Sequence, residues 1–350
     1  MFHQEPASGA CYTVEAAPIG VLVVNLGTPD QPTASAIRRY LREFLLDPRV
    51  VEIPKLLWWP ILNGPVLTFR PGKLVDRYAG IWLEEGSPLL VHTCRQAQGA
   101  AQRLREKGYS VVVEVGMRYG NPSLEHAWKK LLDQGCERIF TVMLYPQYAA
   151  STTATAVDAI TRLASRERNQ PEMRFIKQFA DFEPYIEAMA QKVETSWVQD
   201  GRPECLVMSF HGLPKRSVEL GDPYEKDCYV TAHALAKRLG LAQENYRVTF
   251  QSRFGPSQWL EPYTEPTLIE MAKSGVSSVD VICPGFLADC LETVEEIAIE
   301  CRDAFLNAGG KQFRFIPCLN DDPLWVEGLT ALIQQHIQGW PGVPIPTECA

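Results

Sequence analysis

The residues of this chain best able to do chemistry are one histidine and a row of glutamates. Ser209-Phe210-His211-Gly212-Leu213-Pro214 puts an imidazole at the end of the apolar run Cys205 to Phe210 and just before a turn made by Gly212 and Pro214. Open parallel sheets bind ligands at the carboxyl ends of their strands, so the pattern predicts that His211 faces a cleft. Taken alone, the residue could equally be a core histidine bonded to a carbonyl. A second apolar run, Val279 to Cys283, leads through Pro284-Gly285-Phe286-Leu287-Ala288-Asp289-Cys290-Leu291 to Glu292, with Glu296 and Glu300 following at steps of four. That spacing lines three carboxylates along one helix face, where like charges repel by roughly a few tenths of a kcal/mol per pair. On its own the row reads as a solvated face. Glu292, however, leaves the same sheet edge as His211. A neutral imidazole and carboxylates converging on a cleft suit a divalent cation, proton transfer, or both.

The elements that must position these groups are legible as apolar runs of strand length separated by helical patterns. The runs are Ile19 to Leu26, Ser110 to Met117, Arg138 to Tyr145, Arg174 to Ile176, Cys205 to Phe210, Tyr246 to Gln251, Val279 to Cys283 and Phe313 to Ile316. The alternation predicts an α/β chain with two similar doubly wound, Rossmann-like lobes, each a four-stranded parallel sheet flanked by helices. The divisions read as a loose tail over 1–18, a first lobe over 19–178 and a second lobe over 179–322 carrying His211 and Glu292. A final helix over 323–340 and an irregular end over 341–350 follow. Asp222 reads as a helix N-cap with Pro223 at the first helical position. Leu56 to Phe69 is apolar but broken by Pro60, Gly64 and Pro65, and a bilayer span needs roughly 20 apolar residues, so the segment cannot cross a membrane. It reads either as a buried hairpin or loop, or as a greasy lip over about 54–70 for a flat aromatic ligand.

Composition narrows the function classes. The 350 residues are enough for two domains, 46% of them hydrophobic, and the formal charge of −8 leaves no basic footprint for nucleic acid. A small-molecule substrate is favoured. Asn25-Leu26-Gly27-Thr28-Pro29 follows a strand as a phosphate loop would, yet the Gly-x-Gly-x-x-Gly spacing is missing. Gly309-Gly310-Lys311 lacks the Ser or Thr of a Walker loop, so no nucleotide is expected. Met1 to Pro18 has neither a basic n-region nor an apolar h-region, which predicts a cytoplasmic chain. Ten cysteines without a signal, none in a Cys-x-x-Cys pair, predict reduced thiols.

The His211 element continues through Lys215 to Gly221-Asp222-Pro223-Tyr224, and with Pro284 to Thr293 it resembles the ferrochelatases, enzymes that insert ferrous iron into a porphyrin. The likeness extends along nearly the whole chain. Asn25 to Pro29, Gly86-Ser87-Pro88, Met117-Arg118-Tyr119-Gly120, Gln147-Tyr148 with Ser151-Thr152-Thr153, and Gln251-Ser252-Arg253 with Gly255-Pro256 and Trp259 are similar to that family's landmarks in their usual order.

The resemblance implies a chelatase-like fold with the cleft between the lobes and the last helix packed back on the first. It implies a lyase that exchanges Fe2+ for two protons of protoporphyrin IX to give protohaem, the last step of haem biosynthesis. His211 and Glu292 become the catalytic pair, His211 either accepting pyrrole protons or ligating incoming iron. Glu296 and Glu300 join them as relays for metal or protons. Leu26 is implied as an apolar contact beneath the ring, Tyr119 and Trp259 as pocket aromatics, and Arg70 or Ser87 as groups near the porphyrin carboxylates. The lip becomes the family's apolar flap and could also touch a membrane surface, here the inner face, to collect substrate. No permanently bound cofactor and no iron-sulfur cluster are expected, because only Cys349 lies in the last thirty residues and alanines occupy 149 and 150. Cys290 stands where many members have histidine, which weakens any claim that this position is a required ligand. The rivals are a chelatase for coproporphyrin or cobalt, and a non-catalytic tetrapyrrole carrier that would need the lip but not His211 or the glutamates.

Overall fold

The computed structural model describes residues 17–343 apart from Pro256; most of the expected tails, and that one landmark proline, lie outside the described residues. The apolar runs form eight strands: β1 (Ile19–Thr28), β2 (Val111–Gly120), β3 (Arg138–Met143), β4 (Glu172–Phe175), β5 (Cys205–His211), β6 (Tyr246–Gln251), β7 (Ser278–Ile282) and β8 (Gln312–Ile316). They make two four-stranded sheets, ordered β2-β1-β3-β4 and β6-β5-β7-β8, with every pair parallel. The second sheet repeats the order of the first. Ile19 aligns with Val111 on one side and Arg138 on the other, and Cys205 aligns with Val279. The inner strands β1, β3, β5 and β7 are apolar almost without alternation because helices cover both faces of each sheet.

One apolar cluster runs through both lobes. It joins Val21 and Val23 of β1 to Met208 and Phe210 of β5 by way of Tyr185 and Trp197 on the helix Glu183–Asp200, and Trp325, Leu329 and Ile333 on the helix Pro323–Ile337. That last helix lies against the first-lobe helix Pro88–Glu106, with Trp325 donating its indole N–H to Gln96 at 3.2 Å and Lys107 pairing with Glu327 at 2.6 Å. Asp322 caps it by accepting from the Leu324 amide.

Three local readings change. The lip is helical rather than a hairpin: Lys55–Ile61 and Leu67–Ile81 are α-helices joined by the wider turns of Leu62–Val66, which hold Pro65. Within it Leu56 is 91% and Trp59 58% exposed, whereas Trp58 is only 7% exposed and donates its indole N–H to the Leu45 carbonyl at 2.7 Å. Asp222 accepts from the Tyr224 amide, and the helix begins at Tyr224, one residue later than the Pro223 start expected. Finally, Leu291–Cys301, which carries the glutamates, is a π-helix with i→i+5 hydrogen bonds, a geometry most often found at functional sites.

Candidate active site

β1 runs out at Asn25-Leu26-Gly27-Thr28, β5 at His211, and β7 leads into the loop 283–290. Leu26, Leu291 and Val294 pack together on one apolar cluster with Tyr40, Tyr78 and Tyr119, so the carboxyl ends of both sheets meet between the lobes. Gly27 is required there: at φ +113° its missing Cβ would stand 1.8 Å from the Tyr119 carbonyl oxygen.

His211 is half-buried, and its Nδ1 lies 2.6 Å from the Gly212 carbonyl oxygen. A carbonyl can only accept, so Nδ1 carries a proton, and in the neutral ring Nε2 keeps the lone pair for a proton or a cation. The backbone behind the ring is held by the Tyr224 hydroxyl, which donates to the His211 carbonyl at 2.9 Å. Gly212 lets β5 turn away: a Cβ there would meet the Gln251 carbonyl oxygen at 2.6 Å and the Trp259 ring at 3.1 Å. Trp259 thus sits directly beside the histidine turn, its indole N–H given to the Phe254 carbonyl at 2.9 Å.

The three glutamates of the row go to different partners. The Glu292 carbonyl accepts from Gln251 Nε2 at 2.7 Å, tying the π-helix to the end of β6. Its carboxylate lies near Tyr40 and Tyr78, whose hydroxyl pKa values are pushed well up, first by burial and then in part by the Glu292 charge. Glu296 accepts from the Ser252 amide at 2.7 Å and from the Ser252 hydroxyl, and Ser252 holds the left-handed φ of +63° to make both bonds. Burial raises the Glu296 pKa; the Ser252 bonds and the neighbouring His211 oppose the rise, and Glu292 adds to it. Glu300 is exposed and pairs with Arg77 at 2.7 Å, a guanidinium it shares with Glu295. Among the described residues no three His, Cys, Asp or Glu side chains close into a metal cage. Glu296 thus lies near both His211 and Glu292, whereas Glu300 is paired away at the surface.

The remaining expected contacts separate in the same way. Arg70 lies over the Phe254 ring at 4.7 Å, bridging the lip and the second lobe, and burial lowers its pKa against the pull of Tyr78 and Glu292. With Pro65, Val66, Phe69, Lys73 and Phe254 it lines a cavity of about 270 Å3. Ser87 is buried and accepts from the Thr28 hydroxyl at 2.8 Å. Leu26 is half-buried and packs on the cluster that also takes Leu291 and Val294. Tyr119 is 1% exposed, so its ring is enclosed by protein: its hydroxyl donates to Asp47 at 3.0 Å, and Phe44 meets its ring edge-on at 5.1 Å. Asp47, for which the sequence offers no signal, also pairs with Arg118 and accepts from Thr155. Burial would raise its pKa, but the bonds from Thr155 and the Arg49 amide and the charge of Arg118 bring it below 3.8.

The family model for ferrochelatase matches residues 18–337. A ferrochelatase from Bordetella pertussis is 62% identical over 323 residues, covering 92% of this chain and 89% of that one. The chain belongs to the ferrochelatase family. Ferrochelatases from Aromatoleum aromaticum, 54% identical over 93% of this chain and 90% of its own, and from Herminiimonas arsenicoxydans, 53% identical over 99% and 93%, are similar along the same length. Among solved structures, SirB from Bacillus subtilis with Fe3+ superposes with a TM-score of 0.54 over 91% of this chain and 95% of its own at 15% identity, a likeness of fold. The two-lobed parallel architecture is thus a chelatase fold. The activity is that of the family, insertion of iron into a porphyrin, a lyase reaction of haem biosynthesis. No helix among the described residues is long and apolar enough to cross a membrane.

Proposed function

We propose that the substrate is protoporphyrin IX, gripped between the lip and the carboxyl ends of the two sheets, and that Fe2+ replaces its two pyrrole protons to give protohaem. The observation that carries this reading is His211 at a strand end, its Nδ1 donating to the Gly212 carbonyl and the Glu296 carboxylate of the π-helix close by, on a chain that also exposes the apolar lip residues Leu56, Leu57 and Trp59. A metal cannot enter the ring until the pyrrole nitrogens present their lone pairs and give up two protons. An apolar grip supplies strain from binding energy, and a neutral imidazole supplies the acceptor or the first ligand for iron. Glu292 shares that task. Glu296 and then Glu300 lead charge away from the ring, their hard oxygens suiting ferrous iron or protons.

Leu26 and Trp259 are assigned to the macrocycle, with Tyr119 as the wall behind Leu26, and Arg70 and Ser87 to the propionates. The lobes divide at 178/179, the segment after 322 belonging in packing to the first. The exposed Leu56, Leu57 and Trp59 are suited to brief contact with a membrane surface from the cytoplasmic side. The chain carries no iron-sulfur cluster, and neither nucleotide nor nucleic acid is a partner. Mixing the protein with protoporphyrin and Fe2+ without oxygen tests the core of this: the haem spectrum should appear at a rate proportional to protein. A carrier would bind porphyrin with no catalysed insertion.

A further inference from the structure

The helix Pro88–Glu106 buries two polar side chains, Thr93 and Gln96, three residues apart and so on one face, and each reaches a different side of the cleft. Thr93 accepts from Asn25 Nδ2 at 2.9 Å, and Asn25 Oδ1 in turn accepts from the Leu26 amide at 2.8 Å. Gln96 is 0% exposed and spends both amide hydrogens on the second lobe, donating to the Leu287 carbonyl at 2.9 Å and the Asn320 carbonyl at 2.6 Å. Those two carbonyls belong to loops that are themselves interlocked. The Asn320 amide donates to the Leu287 carbonyl at 2.9 Å; the Asn320 side chain donates to Asp289 at 2.7 Å and accepts from the Asp289 amide at 2.8 Å. Asp289 also accepts from the hydroxyl of Thr293, the residue next to Glu292, at 3.2 Å. Asn320 takes a φ of +52° to complete the set.

We infer that Thr93 and Gln96 are positioning residues that fix the spacing between Leu26 on one side of the porphyrin and Glu292 on the other. Apolar packing between lobes tolerates small slides, whereas a buried amide donating to two carbonyls sets distance and direction together. Removing it leaves the Asn320 carbonyl oxygen and the Trp325 indole N–H unpaired inside the joint, strips the Leu287 carbonyl of one of its two donors, and lets the Glu292 segment drift relative to the ring. This inference rests on the roles proposed above for Leu26 and Glu292.

The test is steady-state iron insertion with porphyrin binding and thermal melting on Gln96→Leu, Asn320→Gly and Thr93→Val. Leu104→Ala, a core truncation on the same helix, serves as the stability control. Asn320→Gly keeps the carbonyl that Gln96 grips and suits the positive φ, but uncouples it from Asp289. Misplacement of a reacting group by about 1 Å costs about 100-fold, so Gln96→Leu and Asn320→Gly should lower kcat by about 10- to 100-fold with the KM for porphyrin little changed. Thr93→Val should instead raise that KM, and Leu104→Ala should lower the melting temperature with kcat and KM intact. Parental kcat in Asn320→Gly, or an equal loss of kcat in Leu104→Ala, overturns the inference even if Gln96→Leu does not fold. Glu292→Gln is run beside them. If it is inactive while Gln96→Leu and Asn320→Gly turn over normally, positioning alone fails; if it still inserts iron, the role of Glu292 falls as well.

Discussion

Replacing the two adjacent tryptophans of the lip one at a time should give opposite phenotypes. Trp58 is buried against Tyr40, Leu41 and Leu62 with its indole N–H bonded to the Leu45 carbonyl. Truncating such a side chain costs about 3–5 kcal/mol, to which the lost hydrogen bond adds about 1. If the first lobe melts as a unit, Trp58→Ser lowers its melting temperature by on the order of 10–20 °C. Trp59 is 58% exposed, so a ligand covering it removes rather more than half of its surface from water. Against roughly 1.5–3 kcal/mol for complete burial of a large apolar side chain, that leaves about 1–1.7 kcal/mol. Trp59→Ser should therefore melt within about 1 °C of the parent, as surface changes usually do, yet bind protoporphyrin about 5- to 20-fold more weakly. Differential scanning calorimetry and porphyrin fluorescence titration separate the two. A Trp58→Ser protein as stable as the parent, or a Trp59→Ser protein with parental affinity, would refute the division of this segment into anchor and contact surface.

Three further outcomes are expected. His211→Ala and Glu292→Gln should abolish iron insertion while porphyrin affinity stays within about tenfold, about 1.4 kcal/mol, and Glu300→Gln, paired with Arg77 at the surface, should be mild; brisk turnover by His211→Ala at neutral pH would sink the mechanism. Because the Asp47 carboxyl is held below 3.8 in the folded chain, its contribution is complete above that value and disappears as pH falls through the lower folded value. Asp47→Asn should thus cost about 3–5 kcal/mol at pH 7, where it strands Arg118, and progressively less in acid, read from unfolding curves across pH. Protein purified without oxygen should contain no acid-labile sulfide, and stoichiometric iron with sulfide would contradict that.

The two-lobed fold was readable because each strand is a buried apolar run closed by a turn signal; His211 was readable for the same reason, Gly212 and Pro214 marking the sheet edge. The fate of the glutamates was not. Steps of four look alike in an α-helix and in the π-helix that forms, and nothing local reveals that Ser252 will claim Glu296 or Arg77 will claim Glu300. Trp58 and Trp59 could not be told apart either, since Pro60 and Pro65 interrupt the period by which a buried face is recognised. Asp47 and Gln96 take partners 71 and 224 residues away, pairings that only the folded chain creates.

The last helix has a consequence for how the molecule comes into being. Trp325, Leu329 and Ile333 belong to the same interior as Ile19, Val21 and Val23 of the very first strand. During synthesis the amino-terminal half emerges early but keeps one greasy flank uncovered until about three hundred later residues have been made. Such long-range closure is slow and leaves apolar surface open to wrong partners in the meantime. A nascent chain halted before Pro323 would thus be sticky rather than merely inactive, even though the opposite face of the first strand is already covered by residues up to Ala164.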